Sequence, residues 1–271
     1  MRPAPTHQLH IAQATDWKEA VIALLEPRSP LRPWRFGSTQ AQEGDTVAFI
    51  LNTDPASILT VVAHVTADGN PRSAVFDRPL HQPNLMDLTT LATTVDLEMR
   101  IGDGWRFDGE DATKLETALD ECRYLSAPDS RFGHSTVAAA RTLLRFWARC
   151  DGCEQVIDLT GTDARDHVFV HTVDPYARPE SASYRSMSDA IDWPAVICRT
   201  CRDRMHGDGF NRFTDFKFSV HPSCPQCGAR RTLQTFYGMP VEHWNNPPWS
   251  HTGGCCVSSE EWYCGACYHE W

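Results

Sequence analysis

No stretch of the 271-residue chain is apolar over the roughly 18–20 positions a bilayer span needs, so no transmembrane helix is expected. The opening Met1-Arg2-Pro3-Ala4-Pro5 has no apolar core of the kind a secretory leader carries. The cytoplasm, where thiols stay reduced, is therefore the expected compartment. No Gly-x-x-x-x-Gly-Lys phosphate loop, dinucleotide glycine pattern or Gly-x-Ser-x-Gly elbow is found, which removes the common nucleotide-dependent and serine-hydrolase chemistries. The His-x-Glu and Pro-Cys-x-x-Cys combination of the zinc deaminases is also missing, so any zinc is expected to be structural. Positive charge is scarce: 25 Lys and Arg face 35 Asp and Glu, a net −10 that argues against a general nucleic-acid coat. The shortage is uneven. Between Arg199 and Arg231 seven basic residues face three acidic ones, a local +4, which leaves −14 for the rest. That segment reads either as a phosphate-facing patch or as an ordinary mixed surface.

Cysteine is plentiful by contrast. Eight of the 11 cysteines fall in four Cys-x-x-Cys pairs, at Cys150/Cys153, Cys198/Cys201, Cys224/Cys227 and Cys264/Cys267. Each pair puts two sulfurs on one tight turn, and two turns complete a tetrahedron around zinc. In a reducing compartment this spacing points to metal rather than disulfides. Two structural zinc ions are the expected cofactors. Cys122 lies in a helical pattern and reads as core. Cys255 and Cys256 are left over, or displace one of the eight proposed ligands.

The length fits two or three domains. Near the N-terminus Asp16 can cap a helix, with Glu19 in the capping-box position and Pro27 closing the run. Thr46–Leu51 and Ser57–Val65 read as a hairpin around the Asn52–Pro55 turn. Asn84 can cap a helix carrying Leu85, Leu88, Leu91 and Val95, and a last helix carries Leu115, Leu119 and Cys122. Trp34-Arg35-Phe36-Gly37, then the Gly44-Asp45 turn, then the apolar runs 46–49 and 58–65, resemble the PUA-like superfamily with its EVE domains. The resemblance implies a small β-barrel with helices that binds RNA or holds a modified base flipped from DNA. Trp34, Phe36 and Trp105 would wall that pocket; the alternative is that they are core or rim aromatics.

Ser135 can cap a helix with Val137, Ala140, Leu144 and Trp147 on one face, leading into the first knuckle. The order that follows is Cys-Asp-Gly-Cys at 150–153, then Val170-His171-Thr172-Val173-Asp174-Pro175, then Val196-Ile197-Cys198-Arg199-Thr200-Cys201, then His206. It resembles the zinc-stapled HNH nucleases, whose frame is Cys-x-x-Cys, Val-His-His-Ile-x-Pro, Cys-x-x-Cys-His and a closing His. The resemblance implies a ββα-metal finger that hydrolyses DNA with a catalytic Mg²⁺, Mn²⁺ or Ni²⁺ ion. It places His171 and His206 on metal-ligand positions and puts Asp174 in the same motif. Thr172 then stands where the general base belongs, Asp192 or Trp193 where an asparagine orients that base, and Arg202 where a histidine follows the knuckle. A second register on Asp166-His167 would make His167 the base. Arg199, Arg202 and Arg204 are the candidate phosphate contacts.

The C-terminal Cys224-Pro225-Gln226-Cys227-Gly228, Gly253-Gly254-Cys255 and Trp262-Tyr263-Cys264-Gly265-Ala266-Cys267 resemble a small bacterial zinc-ribbon family of unassigned activity. The expected architecture is thus α+β in three parts: a reader domain over 1–128, a zinc-stapled finger over 129–212 and a four-cysteine ribbon over 213–271. A reader joined to such a finger resembles the modification-dependent restriction endonucleases. The implied partner is DNA, with RNA the weaker alternative and no membrane; a homodimer is compatible. A non-catalytic nucleic-acid binder on the same scaffold, or a PUA-like RNA-binding zinc protein, are the other readings the residues leave open.

Overall fold

The structure, a computed structural model, describes residues 7–36, 41–67, 69, 74, 84–99, 106–122, 131–173, 191–238 and 247–271. It is mixed α+β. The chain partitions into two compact units. The first takes residues 1–130, 135–148 and 158–165; the second takes 131–134, 149–157 and 166–271. Among the described residues no helix is long and apolar enough to cross a membrane.

The first unit is organised on β1 (Gln8–Ala14), which is followed by α1 (Trp17–Leu25), β2 (Trp34–Phe36), β3 (Thr46–Leu51), β4 (Ser57–Leu59), β5 (Ala63–His64), β6 (Leu85–Asp87), α2 (Leu88–Val95), β7 (Arg106–Asp108), α3 (Gly109–Cys122) and α4 (Thr136–Leu144). Strands β1 and β3 run parallel, Leu9 opposite Thr46 through Gln13 opposite Ile50. The outer edge of β1 is shared end to end: residues 8–10 pair with β7 and residues 12–14 with β2. The outer edge of β3 is divided the same way between β5 and β4, and β6 extends the sheet beyond β4. Alternation sends Leu9, Ile11, Ala48 and Ile50 to one face, where Leu88, Leu91 and Val95 of α2 and Leu115 and Leu119 of α3 cover them. Val47, Phe49 and Leu51 point the other way and are buried too, so β3 is buried along its whole length. A strand covered on both faces reads as a continuous apolar run rather than an alternating one.

The helix ends follow capping chemistry, with one displacement. Asp16 accepts from the Lys18 and Glu19 N–H groups, and Ser135 from Ala138 N–H. Glu19 sits beside Arg165 (3.7 Å). Asn84 does not cap a helix. Leu85–Asp87 first adds a strand to β4, and Asp87 caps α2 through Thr90 N–H. Helix α4 stops at Leu144, short of the first knuckle, and Trp147 is 81 % exposed rather than on its apolar face.

The second unit carries α5 (Ala164–His167, shared with the first), β8 (Val168–His171), β9 (Ala195–Cys198), α6 (Arg199–Gly207), α7 (Phe213–Val220), β10 (Thr232–Phe236), β11 (Ser250–Thr252) and β12 (Trp262–Cys264). Strands β8 and β9 form an antiparallel hairpin with Val168 opposite Cys198 and His171 opposite Ala195. Cys198 then caps α6 through its sulfur, which accepts from Cys201 N–H. The C-terminal sheet has β10 at its centre, parallel to β11 and antiparallel to β12. The segment before β9, α7 and the segment before β11 share one apolar core. Trp249 packs edge-on against Trp193 (6.4 Å) and Phe213 (5.4 Å), and Phe213 and Phe216 of α7 are fully buried.

Candidate functional site

The eight paired cysteines come together as two quartets. Cys150, Cys153, Cys198 and Cys201 form one and Cys224, Cys227, Cys264 and Cys267 the other; within each, the sulfurs lie within 4.8 Å of one another. A tetrahedron with sulfur at about 2.3 Å from zinc has edges of about 3.8 Å. The Cys153–Cys198 sulfurs are 3.9 Å apart, and the Cys224–Cys267 and Cys227–Cys264 sulfurs 3.6 Å. The donor sets therefore fit zinc in number, type and spacing. Burial pushes the Cys150 thiol up to about 11, and burial together with the neighbouring Cys150 pushes Cys201 up as well. A cation must stand among such groups for all four to be thiolates. Cys255 and Cys256 are exposed and belong to neither quartet.

Three of the four knuckles share one backbone turn. In each, the residue four after the first cysteine donates to that cysteine's carbonyl: Glu154 to Cys150 (2.7 Å), Gly228 to Cys224 (2.9 Å) and Tyr268 to Cys264 (2.7 Å). The first cysteine's own N–H donates to the residue five on: Gln155 (2.9 Å), Ala229 (2.8 Å) and His269 (2.8 Å). This closure requires a left-handed residue at the fourth position, and φ there is 62°, 74° and 62°. The fourth knuckle, Cys198–Cys201, is instead the first turn of α6. The first quartet thus joins a turn to a helix end, and the second joins two turns. Gly152 sits inside the first: a Cβ there would meet Cys201 Sγ at 2.8 Å. Lys217 of α7, 3 % exposed in residue terms, reaches under the same turn, with Nζ 3.1 Å from Glu154 Oε1 and 3.5 Å from Gly152 O.

At the end of the hairpin away from Cys198 lies a histidine–carboxylate pair. His171, last on β8, donates from Nε2 to Asp192 Oδ2 at 2.8 Å, and the two side chains are 16 % and 14 % exposed. A carboxylate only accepts, so the Nε2 proton is fixed by the partner. The other oxygen, Oδ1, accepts from the N–H groups of Trp193 (2.9 Å) and Thr214 (3.2 Å). The N-cap residue of α7, Arg212, supplies no side-chain cap, so Asp192 serves the start of that helix from 20 residues upstream. Burial works to raise the Asp192 carboxyl, but the bond and charge of His171 and the two N–H donors outweigh it and hold it below the usual range. Nearby, Gly133 N–H donates to Val173 O (2.6 Å), which lays His134 across from Thr172 with Nδ1 3.3 Å from Oγ1.

The remaining candidates are distributed as follows. Arg202 Cζ lies over the Phe169 ring (3.9 Å to its centre), and Arg202 is paired with Asp203 (2.6 Å). Arg204 pairs with Asp208 (3.5 Å), and Arg199 donates to Asp166 O (3.0 Å). His206 is exposed in the last turn of α6, and His167 ends α5. Among the described residues the two cysteine quartets are the only groups of three or more close metal-donor side chains, so His167, His171 and His206 form no third group there. Asp174 and Trp105 lie outside the described residues. In the first unit Trp34 meets Phe49 edge-on (4.9 Å), and Phe36 stands opposite Ala12 on the same sheet face. His10 on that face is buried and bonded to Asp45 (3.0 Å). Of the residues that shape the second unit, Lys217 and the positive-φ turn residues Glu154 and Tyr268 carry no sequence signal. Asp192 carries one, since the resemblance puts either Asp192 or Trp193 where an orienting side chain is expected.

No protein-family model, curated protein or solved structure matches the chain.

Proposed function

We propose that the chain is a zinc-stapled DNA-binding protein of the HNH type, acting as a modification-dependent endonuclease. The observation that carries this reading is the β8–β9–α6 arrangement. A hairpin runs into a helix, four cysteines clasp its base, and an imidazole held by a carboxylate stands at the end of the first strand. Two zinc ions would hold the second unit. A catalytic Mg²⁺, Mn²⁺ or Ni²⁺ ion would supply charge stabilisation at the scissile phosphate. The arginines of α6 would contact the phosphate chain, and the first unit, with Trp34 and Phe36, would take the modified base in the manner of a PUA-like domain.

A specific observation favours a second reading, a non-catalytic DNA binder. Arg202 puts a fixed positive charge on the hairpin over Phe169, where it opposes a divalent ion but suits a phosphate. A nicking assay separates the two. On plasmid carrying modified cytosine, with Mn²⁺, Mg²⁺ or Ni²⁺, the endonuclease reading expects nicks that are lost in His206→Ala and His171→Ala. Binding without nicking in any metal would favour the second reading. Absence of binding to modified and plain duplex alike contradicts both.

A further inference from the structure

Helix α7 has only eight residues, and isolated helices under about 12–15 residues are marginal in water. Its first residues are capped from Asp192 rather than by Arg212, and Phe213, Thr214, Phe216, Lys217 and Phe218 are all buried. What keeps it helical is therefore what packs on it, and the surroundings of both cysteine quartets supply that packing. We propose that α7 couples the two quartets, so that zinc held at one raises the affinity of the other. This holds whether or not the chain cuts DNA.

The first quartet is met by Phe216 and Lys217. A Cβ on Gly152 would lie 3.2 Å from Phe216 Cε1 and 2.8 Å from Cys201 Sγ, so ring, turn and ligand are in one packed layer. Lys217 Nζ is 3.5 Å from Gly152 O and 3.1 Å from Glu154 Oε1, on either side of Cys153 in sequence. The second quartet is met by Asp215, Phe218 and the residues that end the helix. Asp215 Oδ1 accepts from Arg231 at 2.6 Å, and the Arg231 guanidinium lies over Phe218 (5.0 Å). His221, the C-cap residue, donates from Nδ1 to Thr232 O (2.7 Å), and Thr232 Oγ1 donates to Pro222 O (2.7 Å). Thr232 is the register partner of Cys264, and the His221 ring packs edge-on against Trp262 (4.8 Å), two residues before that cysteine.

One short helix is thus fastened to a ligand turn of one quartet and to a ligand strand of the other. Zinc at the first quartet fixes the 150–153 turn and Cys201 against Phe216, which favours a folded α7. A folded α7 in turn fixes Thr232, and with it the strand that carries Cys264. The effect runs equally in the other direction, because coupling between two binding equilibria is reciprocal. An element whose order both sites bias is the physical requirement for such coupling. The Cys198–Cys201 knuckle is also the first turn of α6, so the helix bearing Arg199, Arg202 and Arg204 depends on the same assembly.

Amide hydrogen exchange of the full chain in zinc-buffered solutions tests this without reference to activity. Protection of 150–157 and 195–201 reports the first quartet, and protection of 232–236 and 262–264 the second. Cys264→Ser with Cys267→Ser removes one site, and Cys150→Ser with Cys153→Ser removes the other. The weaker site fills with its neighbour already loaded, so its free-zinc midpoint is expected to rise about 5–150-fold when that neighbour is removed. Both midpoints unmoved would overturn the coupling. Asp215→Asn, whose partners are Arg231 and Arg212 and no cysteine, is expected to shrink the shift; a shift as large as before overturns the route through α7. If a serine variant does not fold, Asp215→Asn in the eight-cysteine chain decides. A weaker-site midpoint raised several-fold supports the proposal, and an unmoved one overturns it.

Discussion

Gly152→Ala tests the first cysteine quartet with one methyl group. The added Cβ would lie 2.8 Å from Cys201 Sγ, 3.1 Å from Cys201 Cβ and 3.2 Å from Phe216 Cε1. Carbon contacts settle at about 3.5–4.0 Å, so something must give by roughly 1 Å. Phe216 is fully buried and cannot retreat. The sulfur cannot retreat either if it is one of four held at about 2.3 Å from zinc. Overpacking of this kind costs about 1–3 kcal/mol. Part of it should appear as weaker zinc binding at this site, by about 10–100-fold on the scale of disturbed ligand surroundings, or about 1.4–2.7 kcal/mol. Competition with a chromophoric chelator reads this directly. Two controls bracket the effect. At Gly161 the new Cβ would meet Asp163 Oδ1 at 2.6 Å, the far end of an exposed side chain and no part of either cysteine quartet. At Gly207, in α6, it would meet nothing within 4 Å, and alanine should stabilise the helix by about 0.5–1 kcal/mol. A Gly152→Ala chain that holds both metals as tightly as wild type, with unchanged stability, would refute the packing around Cys201.

Three further outcomes follow from the turns, the metals and the carboxylate. Gly228, at φ 74°, should lose about 1–2 kcal/mol on change to alanine, whereas Tyr268→Gly at φ 62° should stay within about 1 kcal/mol of wild type in equilibrium denaturation; equal stability of Gly228→Ala and wild type would contradict the shared turn. Chelation should strip amide-exchange protection from 149–157, 195–207, 232–236 and 250–264 and spare β1 and β3, because all eight ligands lie in the second unit; uniform loss across the chain would argue against it. Asp192 is depressed in the folded state, so it contributes stability that is complete above the ordinary carboxylate value of about 3.9 and is lost as pH falls through the lower folded value. Asp192→Asn should therefore flatten the acid limb of the stability–pH curve; limbs of equal slope would contradict the shift.

The metal centres were legible because cysteine spacing is a local code: each pair names its own turn, and only the pairing of turns needs the fold. The strand Ala195–Cys198 was partly legible, since the apolar Val196-Ile197 runs straight into the second knuckle. Other elements were not. β1, the strand that organises the first unit, has His10 and Gln13 among its apolar residues, and its parallel partner β3 is distant in sequence. Asn84 and Asp87 are equally good caps locally; the edge of β4 decided between them by recruiting Leu85–Asp87 as a strand. α7 was hidden because its cap comes from Asp192 rather than from a neighbour. The pairing of His171 with Asp192 was likewise hidden, because it joins two residues 21 apart in sequence through the other carboxylate oxygen.

Metal analysis of the purified chain, combined with X-ray absorption at the zinc edge, bears most directly on the organisation described. Two zinc ions per chain, each with four sulfurs at about 2.3 Å, are expected. One ion or none, a shell containing nitrogen or oxygen, or disulfides among the eight cysteines would contradict it.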